Sequence, residues 1–243
     1  MKHFKNQQEK AVGPAISRIW EESRDTTEIK LASFPKYVRR QQLKRFLALY
    51  ELFKKILPIK GSIVECGVFR GFGLMSWAKL SALLEPENLT RRIYGFDTFA
   101  GFPSLSVKDK NKNTNTFRGD LKSNSFDELK ELIRLYDLDR FLGHIPKVSL
   151  VKGDIKKTVP KFIRNNPHIL VSLLFIDCDL FRPTEVALKT FLPRMKKGSI
   201  LAFDELDNPQ WPGETLAMLK LMAGTKYKIQ RFEWDPYIGY IVL

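Results

Sequence analysis

The chain has 243 residues, and 44% of them are hydrophobic. This length fits one large α/β domain with an appendage, and the apolar content excludes an intrinsically disordered chain. Lys and Arg together number 41 and Asp and Glu 27, which gives a formal net charge of +14. Such a charge can attract nucleic acid, a membrane surface or an acidic substrate. The basic residues are scattered along the chain, however, which favours a solvated surface.

The two cysteines are Cys66 and Cys178. We expect them to be free thiols that pack as small apolar groups in a reducing compartment, which predicts a cytoplasmic protein. The first ten residues contain no apolar stretch typical of a secretion signal. The longest apolar run, residues 169–176, is too short to span a bilayer. We therefore expect no membrane among the partners.

Helices are expected before the first strand. Residues 1–34 are polar and mixed, and they predict a tail or a short helix, followed by a single domain over residues 35–243. A longer helix is expected to begin at Ser33, which can act as its N-cap, and to end before Pro58. Its apolar residues recur at helical spacing, and basic residues occupy much of the remaining surface.

Strands and helices then alternate five times. Apolar segments predict five parallel strands, at residues 62–65, 92–96, 148–151, 170–176 and 199–203. Helices are predicted between and after them, beginning near residue 72 and covering 156–165, 183–195 and 213–222. Two late strands, at 227–234 and 237–243, are expected to form an antiparallel pair. The pattern predicts an α/β fold with a doubly wound, Rossmann-like sheet that is mostly parallel with an antiparallel C-terminal strand.

A long polar stretch follows the second strand. We predict that residues 102–146 form a lid or acceptor-binding insertion, because loops of this length in compact domains are usually functional or disordered. The part from 104 to 124 is expected to be mobile until a ligand orders it. Residues 125–128 have the sequence of a capping box and predict a short helix that ends near residue 136.

A glycine-rich turn follows the first strand. Gly67, Gly71 and Gly73 allow a sharp turn and a close approach to a ligand, and the helix that follows presents unpaired N–H groups. Glu65 beside the turn suits a ligand that is cationic or rich in hydroxyl groups. The spacing resembles that of short-chain dehydrogenases, but their Tyr-x-x-x-Lys pair is missing after the glycines. The sequence also lacks a P-loop, a zinc-binding cluster and a nucleophile elbow.

Acidic residues end every predicted parallel strand, namely Glu65, Asp97, Asp154, Asp177 and Asp204. Ligands of doubly wound sheets bind outside the carboxyl ends of the strands, so these side chains are expected to meet at a ligand site. An acid after the second strand is well placed for the ribose hydroxyls of a nucleoside. The alternative is that each acid caps the helix that follows its strand.

The fourth and fifth strands carry further acids at the same end. The acids of these two strands are Asp177, Asp179, Asp204 and Glu205. If the two strands are neighbours, they lie about 4.8 Å apart, and these oxygens can share a hard cation such as Mg²⁺.

Three segments resemble the TylF/MycF macrocin O-methyltransferase family. They are residues 65–71 (ECGVFRG), 95–103 (GFDTFAGFP) and 176–180 (IDCDL), within a likeness that runs from about residue 35 to residue 212. Members of this family are class I methyltransferases that depend on S-adenosylmethionine and methylate sugar hydroxyls on natural products with Mg²⁺. The resemblance therefore implies a methyltransferase sheet, with S-adenosylmethionine and Mg²⁺ as cofactors.

The resemblance also implies which residues hold the cofactor. Glu65 and Gly67 would line its methionine end. Asp97 would hold the ribose, and Asp154 would lie near the adenine. The expected cofactor-binding set is completed by Gly71, Thr98 and Asp177.

A metal site made of Asp177, Asp204 and Glu205 is implied in the same way. Relatives commonly have a second aspartate where this chain has Glu205, so Glu205 departs from the family pattern. A sugar hydroxyl is a poor nucleophile near neutral pH, and bound Mg²⁺ would lower its pKa and orient it towards the methyl group. Asp177 or Asp179 is the expected catalytic base for the hydroxyl proton.

The acceptor is expected to be a small molecule with a hydroxyl group, with sugars and acidic compounds as candidates, and a homo-oligomer is left open. Two other functions stay as alternatives. A nucleic-acid methyltransferase would use the net charge of +14, although no Asn-Pro-Pro-Tyr-type motif is present and nucleic acid is not the expected partner. The other alternative is a binding module that keeps the fold without catalysis.

Overall fold

A computed structural model describes residues 6–110 and 115–243 of the chain. Its contacts divide the chain into two compact units, one ending at Arg45 and the other beginning at Phe46. Within the described ranges, no helix combines the length and the apolar character needed to cross a membrane.

The first unit is helical. Helix α1 (Gln7–Glu22) begins with a capping box, in which Asn6 and Glu9 each accept the other's backbone N–H. It is followed by α2 (Thr27–Ala32) and a 3₁₀ turn (Phe34–Lys36), and α3 (Arg40–Ile56) begins in this unit. The predicted single helix from Ser33 is therefore wrong. Ser33 makes no side-chain capping hydrogen bond, and the chain leaves the helical conformation before α3 begins.

The second unit contains a seven-stranded sheet in the order β3-β2-β1-β4-β5-β7-β6. The first five strands pair in parallel, and the last two are antiparallel, as the sequence predicts. The strands are β1 (Ser62–Cys66), β2 (Ile93–Asp97), β3 (Val148–Lys152), β4 (Val171–Ile176), β5 (Met195–Phe203), β6 (Gln230–Phe232) and β7 (Asp235–Val242).

Helices cover both faces of this sheet. The five helices that follow α3 are α4 (Phe72–Leu84), α5 (Phe126–Leu138), α6 (Ile155–Asn165), α7 (Phe181–Phe191) and α8 (Pro212–Leu221). Apolar residues of α3, α4 and α5 pack with one face of the strands, and those of α6, α7 and α8 pack with the other. Successive residues of a strand point to opposite faces. In the fully buried β4, Phe175 therefore joins the first cluster and Leu174 the second.

Two local predictions need correction. The helix predicted to reach residue 195 ends at Phe191, because a 3₁₀ turn containing Pro193 intervenes before β5. The predicted capping box at residues 125–128 is not formed. The Ser125 hydroxyl donates instead to the carbonyl oxygen of Phe69 at 2.5 Å, which ties the start of α5 to the glycine-rich turn.

Part of the predicted lid belongs to the core. Within residues 102–146, helix α5 buries Leu129, Ile133 and Tyr136, and the Tyr136 hydroxyl donates to the carbonyl oxygen of Ala78 at 2.8 Å. Only the segment before α5 therefore remains as a candidate lid. Its residues 111–114 lie outside the described residues.

Candidate active site

The ends of β1, β4 and β5 lie side by side at the carboxyl edge of the sheet. The backbone N–H of Asp177 donates to the carbonyl oxygen of Cys66 at 2.8 Å, and the N–H of Asp204 donates to that of Ile176 at 3.0 Å. The prediction that the fourth and fifth strands are neighbours is confirmed. Asp177 and Asp204 accordingly follow paired residues, Ile176 and Phe203, at adjacent strand ends.

Gly67 lets the turn after β1 touch the end of β4. Its φ of +98° is in the region that favours glycine, and a Cβ at this position would overlap the carbonyl oxygen of Asp177. Gly71, with φ of +84°, is the N-cap of α4 and has no room for a Cβ beside Leu129. The backbone of the turn is therefore fixed by close packing, independently of any ligand.

Glu65 has a buried carboxylate that lies against the first turn of α4. The side chain is 1% exposed, and its Oε2 accepts the indole N–H of Trp77 at 2.7 Å. A Cβ on Gly73 would come within 2.6 Å of Oε1, which explains why glycine is present there. The positive end of the helix dipole stabilises a carboxylate at this place. The predicted contact of Glu65 with the methionine end of the cofactor stays a prediction.

Asp97 holds the glycine-rich turn through both of its carboxylate oxygens. Oδ2 accepts the backbone N–H groups of Val68 at 2.8 Å and Phe69 at 2.7 Å, and Oδ1 accepts that of Phe99 at 2.7 Å. Phe69 and Phe99 have positive φ values of 51° and 56°, so these bonds stabilise strained backbone on both sides of the site. Oδ1 accepts one of these bonds and keeps a second lone pair, which leaves room for the predicted ribose contact.

Thr98 and Asp154 have clear local roles. The Thr98 hydroxyl donates to the carbonyl oxygen of Gly101 at 2.7 Å and accepts the N–H of Ala100 at 3.1 Å, which closes the turn after β2. Asp154 is the N-cap of α6, where it accepts the N–H of Lys156 at 3.0 Å. The helix-capping alternative therefore holds at Asp154.

That alternative does not hold for the acids of β4 and β5. The N-cap of α7 is Leu180 and that of α8 is Trp211, and neither of these two residues makes a side-chain capping hydrogen bond. Asp177 and Asp204 thus end their strands without serving as helix caps.

Glu214 is a buried acid beside these residues that the sequence analysis missed. It lies in the first turn of α8 and has no exposed surface. Its Oε1 accepts the N–H groups of Cys178 at 3.0 Å and Asp179 at 2.9 Å, and its Oε2 accepts that of Glu205 at 3.3 Å. The sequence predicts the start of this helix but gives no signal that an acid in its first turn is buried.

The electrostatics show which acids surround Glu214. Burial raises the pKa of the Glu214 carboxyl well above its ordinary value, and the charges of Asp179, Asp204 and Glu205 raise that pKa further. The hydrogen bonds to Asp179 and Glu205, with Asp204 directly before Glu205, place these three residues beside one buried carboxyl. Burial also raises the pKa of the Cys178 thiol. Both cysteines are free and buried, as predicted.

The carboxylates at the ends of β4 and β5 are suitable donors for a metal ion, but they do not form a complete set of ligands. Among residues 6–110 and 115–243, no group of three or more His, Cys, Asp and Glu side chains is placed to hold an ion. Magnesium in proteins is commonly held by one or two carboxylates together with water and substrate oxygens. The carboxylates at the adjacent ends of β4 and β5 fit that chemistry, and the assignment of Asp177, Asp204 and Glu205 as ligands stays a prediction.

Asp109 attaches the candidate lid to the same edge. Its Oδ1 accepts the N–H of Phe181, the first residue of α7, at 2.6 Å. Its Oδ2 accepts both the N–H and the hydroxyl of Ser106 at 2.6 Å. The ammonium of Lys108 lies 4.2 Å from the centre of the Phe181 ring. The segment that the sequence predicts to be a lid therefore lies beside the loop that carries Asp177 and Asp179.

Comparison with known proteins identifies the family. The profile of the macrocin O-methyltransferase (TylF) family matches residues 23–235. No curated protein sequence matches the chain.

Solved structures agree with this match. A crystal structure of CalS11, a calicheamicin methyltransferase, is 33% identical to this chain and covers 98% of it and 93% of its own length, with a TM-score of 0.93. An apo structure of CalS11, described as a TDP-rhamnose 3'-O-methyltransferase of calicheamicin biosynthesis, is 31% identical over 98% and 95% of the two chains, with a TM-score of 0.85. The O-methyltransferase NovP, which is 20% identical over 82% and 79% of the two chains with a TM-score of 0.65, shares the fold.

These matches decide between the alternatives left open by the sequence. The family and the fold support an enzyme with S-adenosylmethionine as methyl donor, in preference to a binding module without catalysis. The chain belongs to the macrocin O-methyltransferase (TylF) family and is an O-methyltransferase.

Proposed function

We propose that this enzyme transfers a methyl group from S-adenosylmethionine to a sugar hydroxyl, with Mg²⁺ at the acceptor side of the site. The observation that carries the proposal is the contact between the glycine-rich turn at Gly67 and the backbone of Asp177. This contact puts the expected cofactor cradle of β1 and β2 directly beside the acids of β4 and β5.

The first acceptor to test is a sugar linked to a nucleoside diphosphate. CalS11, which is about one-third identical over almost the whole chain, is described as a TDP-rhamnose 3'-O-methyltransferase. A diphosphate group is also compatible with the net charge of +14. Lys108, near the start of α7, is a cation on the segment that would cover such an acceptor.

The cofactor would be held by residues on the first half of the sheet. Glu65 and Gly67 would meet its methionine end, and Asp97 its ribose. Gly71, Thr98 and Asp154 complete the cradle. When bound, S-adenosylmethionine supplies an electrophilic methyl group on its sulfonium.

The acceptor would be held by the acids of the second half of the sheet. Mg²⁺ bound by Asp177, Asp204 and Glu205 would lower the pKa of the acceptor hydroxyl. Asp177 or Asp179 would accept the hydroxyl proton, and placing the two reactants in line supplies much of the remaining acceleration. The two buried free thiols also support a reducing, cytoplasmic location.

The test is methyl transfer by the purified enzyme from S-adenosylmethionine to TDP-rhamnose, followed by mass spectrometry and by NMR for the position of the methyl group. Methylated sugar nucleotide is the expected product. Calorimetry with S-adenosylhomocysteine is run in parallel. Binding of that ligand without methylation of TDP-rhamnose, or of a panel of other sugar nucleotides, would contradict the acceptor class. Failure of S-adenosylhomocysteine to bind would contradict the cofactor site itself.

A further inference from the structure

Glu214 joins the two loops that carry the acids of the acceptor side. One carboxylate oxygen accepts N–H groups from the loop after β4, at Cys178 and Asp179. The other accepts the N–H of Glu205, directly after β5. A single side chain on α8 therefore connects the ends of two neighbouring strands.

A carboxyl group at this position is energetically unfavourable. Glu214 is completely buried, its three hydrogen-bond donors are backbone N–H groups, and the neighbouring charges of Asp179, Asp204 and Glu205 are of its own sign. Burying a carboxyl among like charges opposes folding, and this cost is offset here by the three backbone N–H groups that gain an acceptor. Departures from locally favourable sequence are expected mainly at functional sites.

The loop after β4 is held by contacts from the start of α8. Asp179 has a φ of +60°, a conformation that is uncommon outside glycine, although aspartate adopts it more often than most residues. The adjacent Gly213 also packs on this loop, since a Cβ there would lie 2.6 Å from the carbonyl oxygen of Asp179. The start of α8 thus holds the loop by close backbone packing and by the carboxylate of Glu214.

We infer that Glu214 is a positioning residue that fixes the Asp177–Asp179 loop against the Asp204–Glu205 strand end, so that their carboxylates face one acceptor and its metal. The part of this role that concerns acceptor and metal rests on the proposed function. The part that concerns the backbone does not, and it can be measured without any ligand.

The first experiment measures amide hydrogen exchange by NMR in the free enzyme. In Glu214→Ala, the amides of Cys178, Asp179 and Glu205 should exchange faster, while amides in the core strands keep their protection. Glu214→Gln retains one carbonyl oxygen, which can still accept from Cys178 and Asp179, so only the Glu205 amide should exchange faster. Unchanged exchange at all three amides in Glu214→Ala would overturn the inference.

A matched control is Glu185→Gln. Glu185 is another buried acid, on α7, but its partners are the side chains of Arg182, Lys189 and Lys220. This change removes a buried negative charge without touching the two loops. It should leave the three amides as they are in the wild type, and faster exchange there would mean that any loss of a buried acid loosens the site.

The second experiment uses calorimetric titration to measure the affinity of the enzyme for Mn²⁺ and, separately, for S-adenosylhomocysteine. Substitution of a residue that orients metal ligands typically lowers metal affinity by about 10–100-fold. Glu214→Ala should therefore weaken Mn²⁺ binding within that range. Its affinity for S-adenosylhomocysteine should fall much less than its affinity for Mn²⁺, because most of the expected cofactor residues lie on β1 and β2. Equal losses for both ligands would identify Glu214 as a general structural residue and overturn the inference.

The two experiments separate this inference from the proposed function. If wild-type enzyme does not bind Mn²⁺, the metal part of the proposed function fails, and the exchange at Cys178, Asp179 and Glu205 still decides whether Glu214 holds the loops. If wild-type enzyme binds Mn²⁺ and Glu214→Ala binds it equally well, the positioning role fails while the metal site stands.

Discussion

At the scale of single residues, the site depends on backbone that is held in unfavourable conformations. Phe69, Phe99 and Asp179 have positive φ values, which cost more for these residues than for Gly67, and all four lie in the loops at the carboxyl ends of β1, β2 and β4. The carboxylates of Asp97 and Glu214 accept N–H groups from these loops or from their neighbours. Acidic residues thus shape the loops, in addition to any contact that they make with a ligand.

The change Gly67→Ala tests the contact between the ends of β1 and β4. We expect it to lower the free energy of unfolding by at least about 3 kcal/mol, because positive φ and overlap with the Asp177 carbonyl oxygen both oppose a Cβ. Gly224→Ala is the matched control, since Gly224 has a φ of +78° but nothing within 4 Å of an added Cβ. That change should cost about 1–2 kcal/mol. Urea unfolding measures both, and equal losses would argue against the packing contact.

Asp97→Ala should weaken binding of S-adenosylhomocysteine by at least about tenfold, because it removes the predicted ribose contact and releases the glycine-rich turn. Asp97→Asn retains an oxygen that can accept the N–H groups of Val68 and Phe69. Its free energy of unfolding should therefore be close to that of the wild type, whereas its affinity for S-adenosylhomocysteine should stay low. Calorimetry and urea unfolding measure the two effects separately. Asp139→Ala, which alters a carboxylate that is 84% exposed, is the control. Wild-type affinity in Asp97→Ala would refute the assignment of Asp97.

At the scale of elements, Asp109 fastens the candidate lid to the start of α7. Limited proteolysis of the free enzyme should cut first between residues 104 and 124, and cofactor with acceptor should slow the cut. Asp109→Ala should accelerate cleavage there, since it removes the hydrogen bonds to Phe181 and Ser106. Asp120→Ala, which removes an acceptor of the adjacent Leu121 N–H, should not. First cleavage elsewhere, unaffected by ligands, would contradict a lid.

Helices α7 and α8 are connected by an ion pair that predicts a pH dependence. The hydrogen bond from Lys220, at 2.6 Å, lowers the pKa of Glu185 to about 2, with further help from Arg182 and Lys189. A depressed carboxyl pKa stabilises the fold above the unfolded-state value of about 4.3, and this contribution is lost as the pH falls towards 2. The cations are half exposed, so we expect a loss of about 2 kcal/mol at most. Urea unfolding of wild type and Glu185→Gln should differ at pH 6 and converge near pH 2.

The sequence predicts elements well where periodicity decides them. The apolar runs of β1 and β4 and helices α4, α6 and α8 lie within a few residues of their predicted positions. Errors occur where a distant contact overrides a local signal. Ser125 is the expected N-cap of a helix, yet its hydroxyl donates to the carbonyl oxygen of Phe69, more than fifty residues away. Glu214 and Asp109 were missed because only tertiary packing brings them to the site.

At the scale of the whole molecule, the strand order separates two groups of acidic residues along the carboxyl edge of the sheet. β1, β2 and β3 form the half with the expected cofactor residues, and β4 and β5 form the half with the acceptor-side acids. The sequence predicts this division, because acids follow every parallel strand and parallel strands end at one edge. It could not distinguish Asp154, which caps α6, from Asp177 and Asp204, which cap no helix.

The metal assignment follows from this division and can be tested by removing single charges. If Asp177 and Asp204 hold Mg²⁺, then Asp177→Asn and Asp204→Asn should abolish methyl transfer to TDP-rhamnose, since an amide is a far weaker ligand for a hard cation. Binding of S-adenosylhomocysteine should survive in Asp204→Asn, because the expected cofactor residues other than Asp177 lie on the other half of the sheet. EDTA should inactivate the wild type, and added Mg²⁺ should restore it. The control is Asp207→Asn, which alters an exposed acid with φ of +58° in the same loop as Glu205, where asparagine is tolerated. Activity that survives both EDTA and the two substitutions would refute the metal site, whereas parallel loss of cofactor binding would show that these acids support the whole sheet edge.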